Sequence, residues 1–124
     1  MSHCDERPEP GTALEVGRRG AFIECDTFGM ERWMADWVQH GSSVARSYDR
    51  DRVDLVKAIV DAGFIRQLLI SQDVCMKTQL VKYGGWGFAH ISNEIEHRLI
   101  SAGLSDADIQ MIRVDNPRTM LTGE

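Results

Sequence analysis

Short, wholly apolar runs alternate along this chain with stretches in which apolar residues recur every three or four positions. Pro10 to Arg19 reads as a weak helical stretch closed by Gly20, and Ala21-Phe22-Ile23-Glu24-Cys25 has the length and β-tolerant composition of a strand. Val53, Val56, Ile59 and Val60 give the apolar face of a second helix, with Gly63 where a left-handed C-terminal cap falls. Gln67 to Ser71 is the core of another strand. It is too short and too uniformly apolar for a solvent-facing antiparallel strand and suits a parallel strand covered on both sides. Ile91, Ile95, Leu99 and Ala102 mark a further helix ended by Gly103, with Glu94 and Arg98 spaced for an i,i+4 contact. Ser105-Asp106-Ala107-Asp108 has the form of a capping box opening a short helix through Met111 and Ile112, and Asn116-Pro117 starts a last turn.

Alternating helices and buried strands, with polar residues gathered after each strand, predict a parallel α/β protein whose site lies at the C-terminal ends of the strands. Two strands, or three if Ser2-His3 ends another, do not close such a sheet. Either a partner completes it or the chain is a piece of something larger. Met30 to Arg50, polar and aromatic with Trp33, Trp37 and His40, has the length of a functional loop rather than a plain connector.

Composition narrows the partners. With 124 residues, 43% of them hydrophobic and 27% charged, the chain fits one ordinary globular domain. A formal charge of -5 and the lack of any Lys/Arg cluster argue against a nucleic-acid partner, which needs a basic footprint. No apolar run approaches the roughly 18 to 20 residues of a membrane span, and the first residues lack a signal peptide's apolar region, so the expectation is a cytoplasmic protein without a membrane partner. Cys4, Cys25 and Cys75 are odd in number and form no CxxC pair, which points to reduced thiols.

Asp73 is the most telling candidate for chemistry. It closes the run Leu68-Leu69-Ile70-Ser71-Gln72, where desolvating a carboxylate without a partner costs several kcal/mol. A metal ion or a cationic substrate is one such partner; a plain capping aspartate is the competing reading from this residue alone. Trp33 and Trp86 are candidates to line an apolar substrate pocket. Gly84, Gly85 and Gly87 lack the spacing of a phosphate-binding loop and suggest a mobile loop over the site. His40 and His90 read as solvated or capping histidines, and His97 as a surface residue of its helix.

Three segments carry a resemblance. Ser2-His3-Cys4-Asp5, then Glu24-Cys25-Asp26-Thr27-Phe28-Gly29, then Ser71-Gln72-Asp73-Val74-Cys75 with Tyr83-Gly84-Gly85-Trp86-Gly87-Phe88-Ala89-His90, look like the ends of strands 6, 7 and 8 of the phosphotriesterase family. Val114 to Leu121 resembles that family's C-terminal segment. The resemblance implies the C-terminal part of a TIM (β/α)8 barrel of the amidohydrolase superfamily, so that residues 1–124 form a single partial domain and an incomplete barrel. It implies a metal-dependent hydrolase in which a hydroxide bridging two divalent ions, expected to be zinc, attacks an ester, lactone or organophosphate. His3 then matches a ligand of the more exposed metal. Asp73 matches a ligand of the more buried metal and the proton shuttle, while Asp26, Phe28, Trp33 and Trp86 fall at substrate-binding positions.

The resemblance also implies what this chain lacks, since the remaining ligands of such a centre would precede Met1 and two ligands do not hold two ions. Activity of the chain alone is therefore not expected. Thr27-Phe28 stands where lactonase-like members commonly carry Arg-Tyr, which removes a polar pair from a lactone pocket. Gln72 precedes the aspartate with its side chain expected to point away from the barrel interior. The alternative from a different class is a non-catalytic remnant that associates with another polypeptide, or with itself, through open strand edges.

Overall fold

A computed structural model describes residues 1–31 and 48–123. The first helix, α1 (Pro10–Arg18), starts where Pro10 occupies the first helical turn, a position that has no use for the missing N–H. Strand β1 (Ile23–Cys25) follows, then α2 (Asp49–Asp61), a single turn of 3-10 helix at Ile65–Gln67, and β2 (Leu68–Ile70). The two strands pair in parallel with Ile23 opposite Leu68, Glu24 opposite Leu69 and Cys25 opposite Ile70. Both are shorter than the apolar runs that announced them.

A third backbone run lies along the other edge of β1. The carbonyl of Met1 accepts the Glu24 N–H at 3.0 Å, and the Cys4 N–H donates to the Glu24 carbonyl at 2.9 Å. Glu24 thus uses both backbone groups toward residues 1–4, while Cys25 accepts from Ser71 on the opposite side. The spatial order is residues 1–4, β1, β2, and the loops after all three open at one end.

Alternation along the strands sends Ile23 and Cys25 to the opposite face from Glu24. Ile23, Cys25 and Leu68 are fully buried and join one core with Ala13, Val56, Ile59, Ile95, Leu99, Leu104 and Ile112. The apolar stripes of α1, α2 and the later helices therefore cover one face of the sheet. At about 25 cal/mol per Å² of apolar surface removed from water, this burial is the main force holding the short strands in place.

Two helical segments each combine a wide turn with an α-helix. A π-helical turn at Ile91–Ile95 leads into α3 (Glu96–Ser101), and α4 (Asp106–Gln110) passes through a π-helical turn at Met111–Asp115 into α5 (Asn116–Thr122). Asn116-Pro117 does open the last helix, and the chain enters it without a break, because Asp115 and Asn116 both keep helical dihedrals. Pro117 has no N–H and its ring would crowd the carbonyl four residues back; the widened turn accommodates both. The Ser105 cap is present, its hydroxyl accepting the Asp108 N–H at 3.2 Å while Asp108 returns the bond to the Ser105 N–H at 2.8 Å. Among the described residues no helix is long and apolar enough to cross a membrane.

Candidate active site

His3, Asp26 and Asp73 stand at the open end of the three backbone runs. His3 (φ 53°) and Asp73 (φ 39°) are the two non-glycine residues with positive φ among the described residues. That region is disfavoured for L-residues, although His and Asp tolerate it better than most, and such backbone recurs where side chains are held for a task. The Asp26 Oδ1 accepts from the His3 backbone N–H and lies against His3 Nδ1, each at 2.9 Å. A carboxylate on Nδ1 selects the tautomer with its proton there and leaves Nε2 of the neutral ring as a lone-pair donor.

The electrostatics follow from crowded carboxylates. Partial burial works against a charged His3 ring, yet the bond to Asp26 and the charges of Asp26, Glu6 and Asp73 raise its pKa above the ordinary value. Burial pushes the Asp26 carboxyl up, and the bond to His3 only partly offsets it. Asp26 and Asp73 share one hollow of about 330 Å3 with Glu24, Leu69, Ser71 and Pro117 on the face away from the core. Among the described residues the Asp73 carboxylate makes no hydrogen bond, while its backbone carbonyl accepts from Gln79 Nε2 at 3.2 Å.

These donors suit a divalent metal in kind and fall short in number. A free imidazole nitrogen and an unpaired carboxylate on one rim are the ligands that zinc-like ions take. Among the described residues, however, no group of three or more His, Cys, Asp or Glu side chains is placed to hold a metal ion. A complete site needs further donors from outside this set.

Beneath the rim runs a buried ionic chain that the sequence did not disclose. Asp5 is fully buried and accepts the N–H groups of Asp26 at 3.2 Å and Thr27 at 2.9 Å. Arg52, also fully buried, places Nε 3.0 Å from the Thr27 hydroxyl and 3.4 Å from Asp5, and one terminal nitrogen 3.2 Å from Asp49. Asp49 accepts the Gly29 N–H at 2.7 Å and pairs with His90 Nε2 at 2.8 Å. Burial alone would raise the Asp49 pKa, but the bonds from His90 and Gly29 and the charge of Arg52 outweigh it and hold the carboxyl below the ordinary range. A signal existed in the sequence. Arg52 is spaced i,i+4,i+7 with Val56 and Ile59, so a charged residue continues the apolar stripe of α2.

Several expectations need correction. His90 is neither solvated nor a cap; it is buried because Asp49 supplies a charged partner 2.8 Å away. Phe28 is fully buried in the core and presents no surface to a substrate. Trp86 lies against Gly29 and lines a different cleft of about 530 Å3 with Glu31, Thr78, Tyr83, His90 and Arg98. It is therefore not brought together with Asp73, and Trp33, Trp37 and His40 lie outside the described residues. The glycine-rich loop is pinned rather than simply draped over the rim: buried Gln79 accepts from the N–H groups of Cys75 and Met76, and a Cβ at Gly85 would meet the Gln79 backbone at 2.2 Å. Gln72 does turn toward the loop, donating to the Phe88 carbonyl at 2.7 Å.

Paired parallel strands with helices over one face and a polar rim at the strand ends define part of an α/β barrel. The chain belongs to the phosphotriesterase family, whose model matches residues 1–121. It is 34% identical over 123 residues to the N-acetyltaurine hydrolase of Danio rerio, covering 98% of this chain and 34% of that protein. The N-acetyltaurine hydrolase of Dictyostelium discoideum is 35% identical over 112 residues, and the phosphotriesterase-related protein of Nematostella vectensis 32% over 123. The chain spans about a third of the length of the curated relatives it matches. Among solved structures, the resiniferatoxin-binding protein of Rhodobacter sphaeroides superposes with a TM-score of 0.79 at 33% identity, covering 89% of this chain and 29% of that one. The phosphotriesterase homology protein of Escherichia coli gives a TM-score of 0.80 at 23% identity, over 94% of this chain and 36% of that one, which bears on fold alone. The fold is thus the C-terminal part of a TIM (β/α)8 barrel, incomplete in this chain.

Proposed function

We propose that this chain supplies the final strand ends of a metal-dependent hydrolase, with residues 1–124 covering the end of the sixth strand through the eighth and the helices that follow. His3 would ligate one of two divalent ions, zinc by preference, through Nε2, and Asp73 the other through its carboxylate. The observation that carries this reading is Asp26 holding Nδ1 of His3, a bond that leaves the other ring nitrogen free for a metal. Such ions, when bound, polarise a water and the substrate's oxygen.

The residues' own tasks are narrower. Asp26 orients His3, and the unpaired Asp73 carboxylate accepts a proton on the rim where substrate enters. Phe28 takes no part, and Trp86 shapes a neighbouring cleft rather than the rim itself. For the bond cleaved, relatives named N-acetyltaurine hydrolases at 30–35% identity favour an N-acyl amide over an ester, lactone or organophosphate. Thr27 supports the same preference against lactones, since its hydroxyl is committed to Arg52. Because the described residues bring together two such ligands, catalysis requires further donors from a complete barrel.

A chimera tests this. This chain replaces the matching third of the Danio rerio protein, and hydrolysis of N-acetyltaurine, a chromogenic phosphotriester and a lactone is measured with and without Asp73→Asn. The amide is expected to be cleaved fastest, and Asp73→Asn to lower kcat/KM by about 100-fold or more. A chimera equally active with Asn at this position would sink the reading.

A further inference from the structure

We propose that Arg52 is a positioning residue for the rim, fixing the orientation of His3 from beneath it; this rests on His3 being read as a ligand. The guanidinium is fully buried; it meets pieces of chain that follow residues 1–4 and β1, and it reaches the stretch after β2 only through Asp49 and His90. Toward residues 1–5 its Nε lies 3.4 Å from Asp5, whose two oxygens hold the N–H groups of Asp26 and Thr27. Toward the loop after β1 the same Nε lies 3.0 Å from the Thr27 hydroxyl. Toward the loop after β2 a terminal nitrogen reaches Asp49, and Asp49 reaches His90. His90 is two residues beyond Phe88, whose carbonyl is bound by Gln72, the neighbour of Asp73.

The consequence for His3 is geometric. Asp26 can meet both the backbone N–H and Nδ1 of His3 only while its own backbone is held, and the holding group is Asp5. Asp5 is in turn a fully buried carboxylate, a state that persists only with a cationic partner and filled hydrogen bonds. A planar guanidinium offers several donors in one fixed fork, which a lysine's single ammonium cannot reproduce across Asp5, Thr27 and Asp49 together. Hydrophobic residues could fill this space, but they would not fix the register of three loops. The barrel's rim is thus braced by ionic contacts made below it.

The test reads the His3 ring in the 124-residue chain by long-range proton–nitrogen NMR, without metal, at a pH high enough above the raised His3 pKa for the ring to be neutral. In the unmodified protein His3 is expected to show one tautomer, protonated at Nδ1. Arg52→Lys and Arg52→Met, provided that each still unfolds cooperatively, are expected to shift His3 to the mixed tautomers of a free imidazole. Hydrogen exchange at the Asp26 and Thr27 amides should then quicken by about tenfold or more. Folded variants that keep the single tautomer overturn the proposal, because loss of stability alone leaves it untouched. Should neither variant fold, the paired Asp5→Asn/Arg52→Met change removes both buried charges, with the same two results deciding. In the unmodified chain, Asp26 and Thr27 amides that exchange freely while the Arg52 Nε–H is protected would also overturn it. The ligand reading fails separately, by zinc producing no shift at His3 Nε2 in the chimera.

Discussion

Asp26, Thr27 and Phe28 are consecutive, and the structure gives each a different fate: rim, ionic chain and core. Phe28 is fully buried, so Phe28→Ala should lower unfolding free energy by about 3–5 kcal/mol, read from urea titrations, with little effect on a neighbouring rim. Gly29 has φ 87° and a Cβ there would lie 2.6 Å from the Trp86 ring. Gly29→Ala should therefore cost about 1–3 kcal/mol, and a neutral result would contradict the close packing of the two loops. His3 and Asp73 could be singled out as candidates because the strings that carry them are short and local, and the structure places both at the open end of the backbone runs. The burial of His90 was not legible, because a charge is buried only when a partner distant in sequence meets it; Arg52 left one trace, its place in the apolar stripe of α2, which names no partner.

Asp49 adds a pH dependence at the same scale. Its folded-state pKa is lowered, so its contribution to stability is present above the ordinary carboxylate range and is lost as pH falls through the lowered value. Below about pH 4 the urea midpoint of the wild type should fall more steeply than that of Asp49→Asn. Parallel curves would mean that the carboxylate is not linked to folding.

At the scale of elements, period-3.6 and apolar-run signals located the helices and strands, while their ends depended on tertiary contacts. The last helix shows why. Asn116 looked like the start of a new turn, yet its side-chain amide is turned inward and donates to the carbonyls of Ile65 and Leu68 at 2.7 Å each. It fastens the end of the chain to the foot of β2, and the π-helical turn keeps the helix continuous through Pro117. Asn116→Leu should destabilise by about 1–3 kcal/mol through the deserted carbonyls, measured as a lower urea midpoint with unchanged slope. A change within about 0.5 kcal/mol would indicate that water replaces the amide.

For the whole molecule, the alternation of elements announced a parallel α/β chain and its incompleteness together. Among the described residues no strand pairs with the outer edges of residues 1–4 and β2, the situation that favours pairing with another chain. Purified alone, the chain should hydrolyse N-acetyltaurine no faster than its Asp73→Asn variant, and it should self-associate with rising concentration by light scattering. The number of ligands, not their identity, sets that limit. Metal content of the Danio rerio chimera, measured after dialysis against zinc, tests the central claim most directly. About two zinc ions per chain are expected, falling by at least about one in a His3→Ala/Asp73→Asn variant that remains folded. An unchanged zinc content in that variant would contradict the assignment of His3 and Asp73 as ligands.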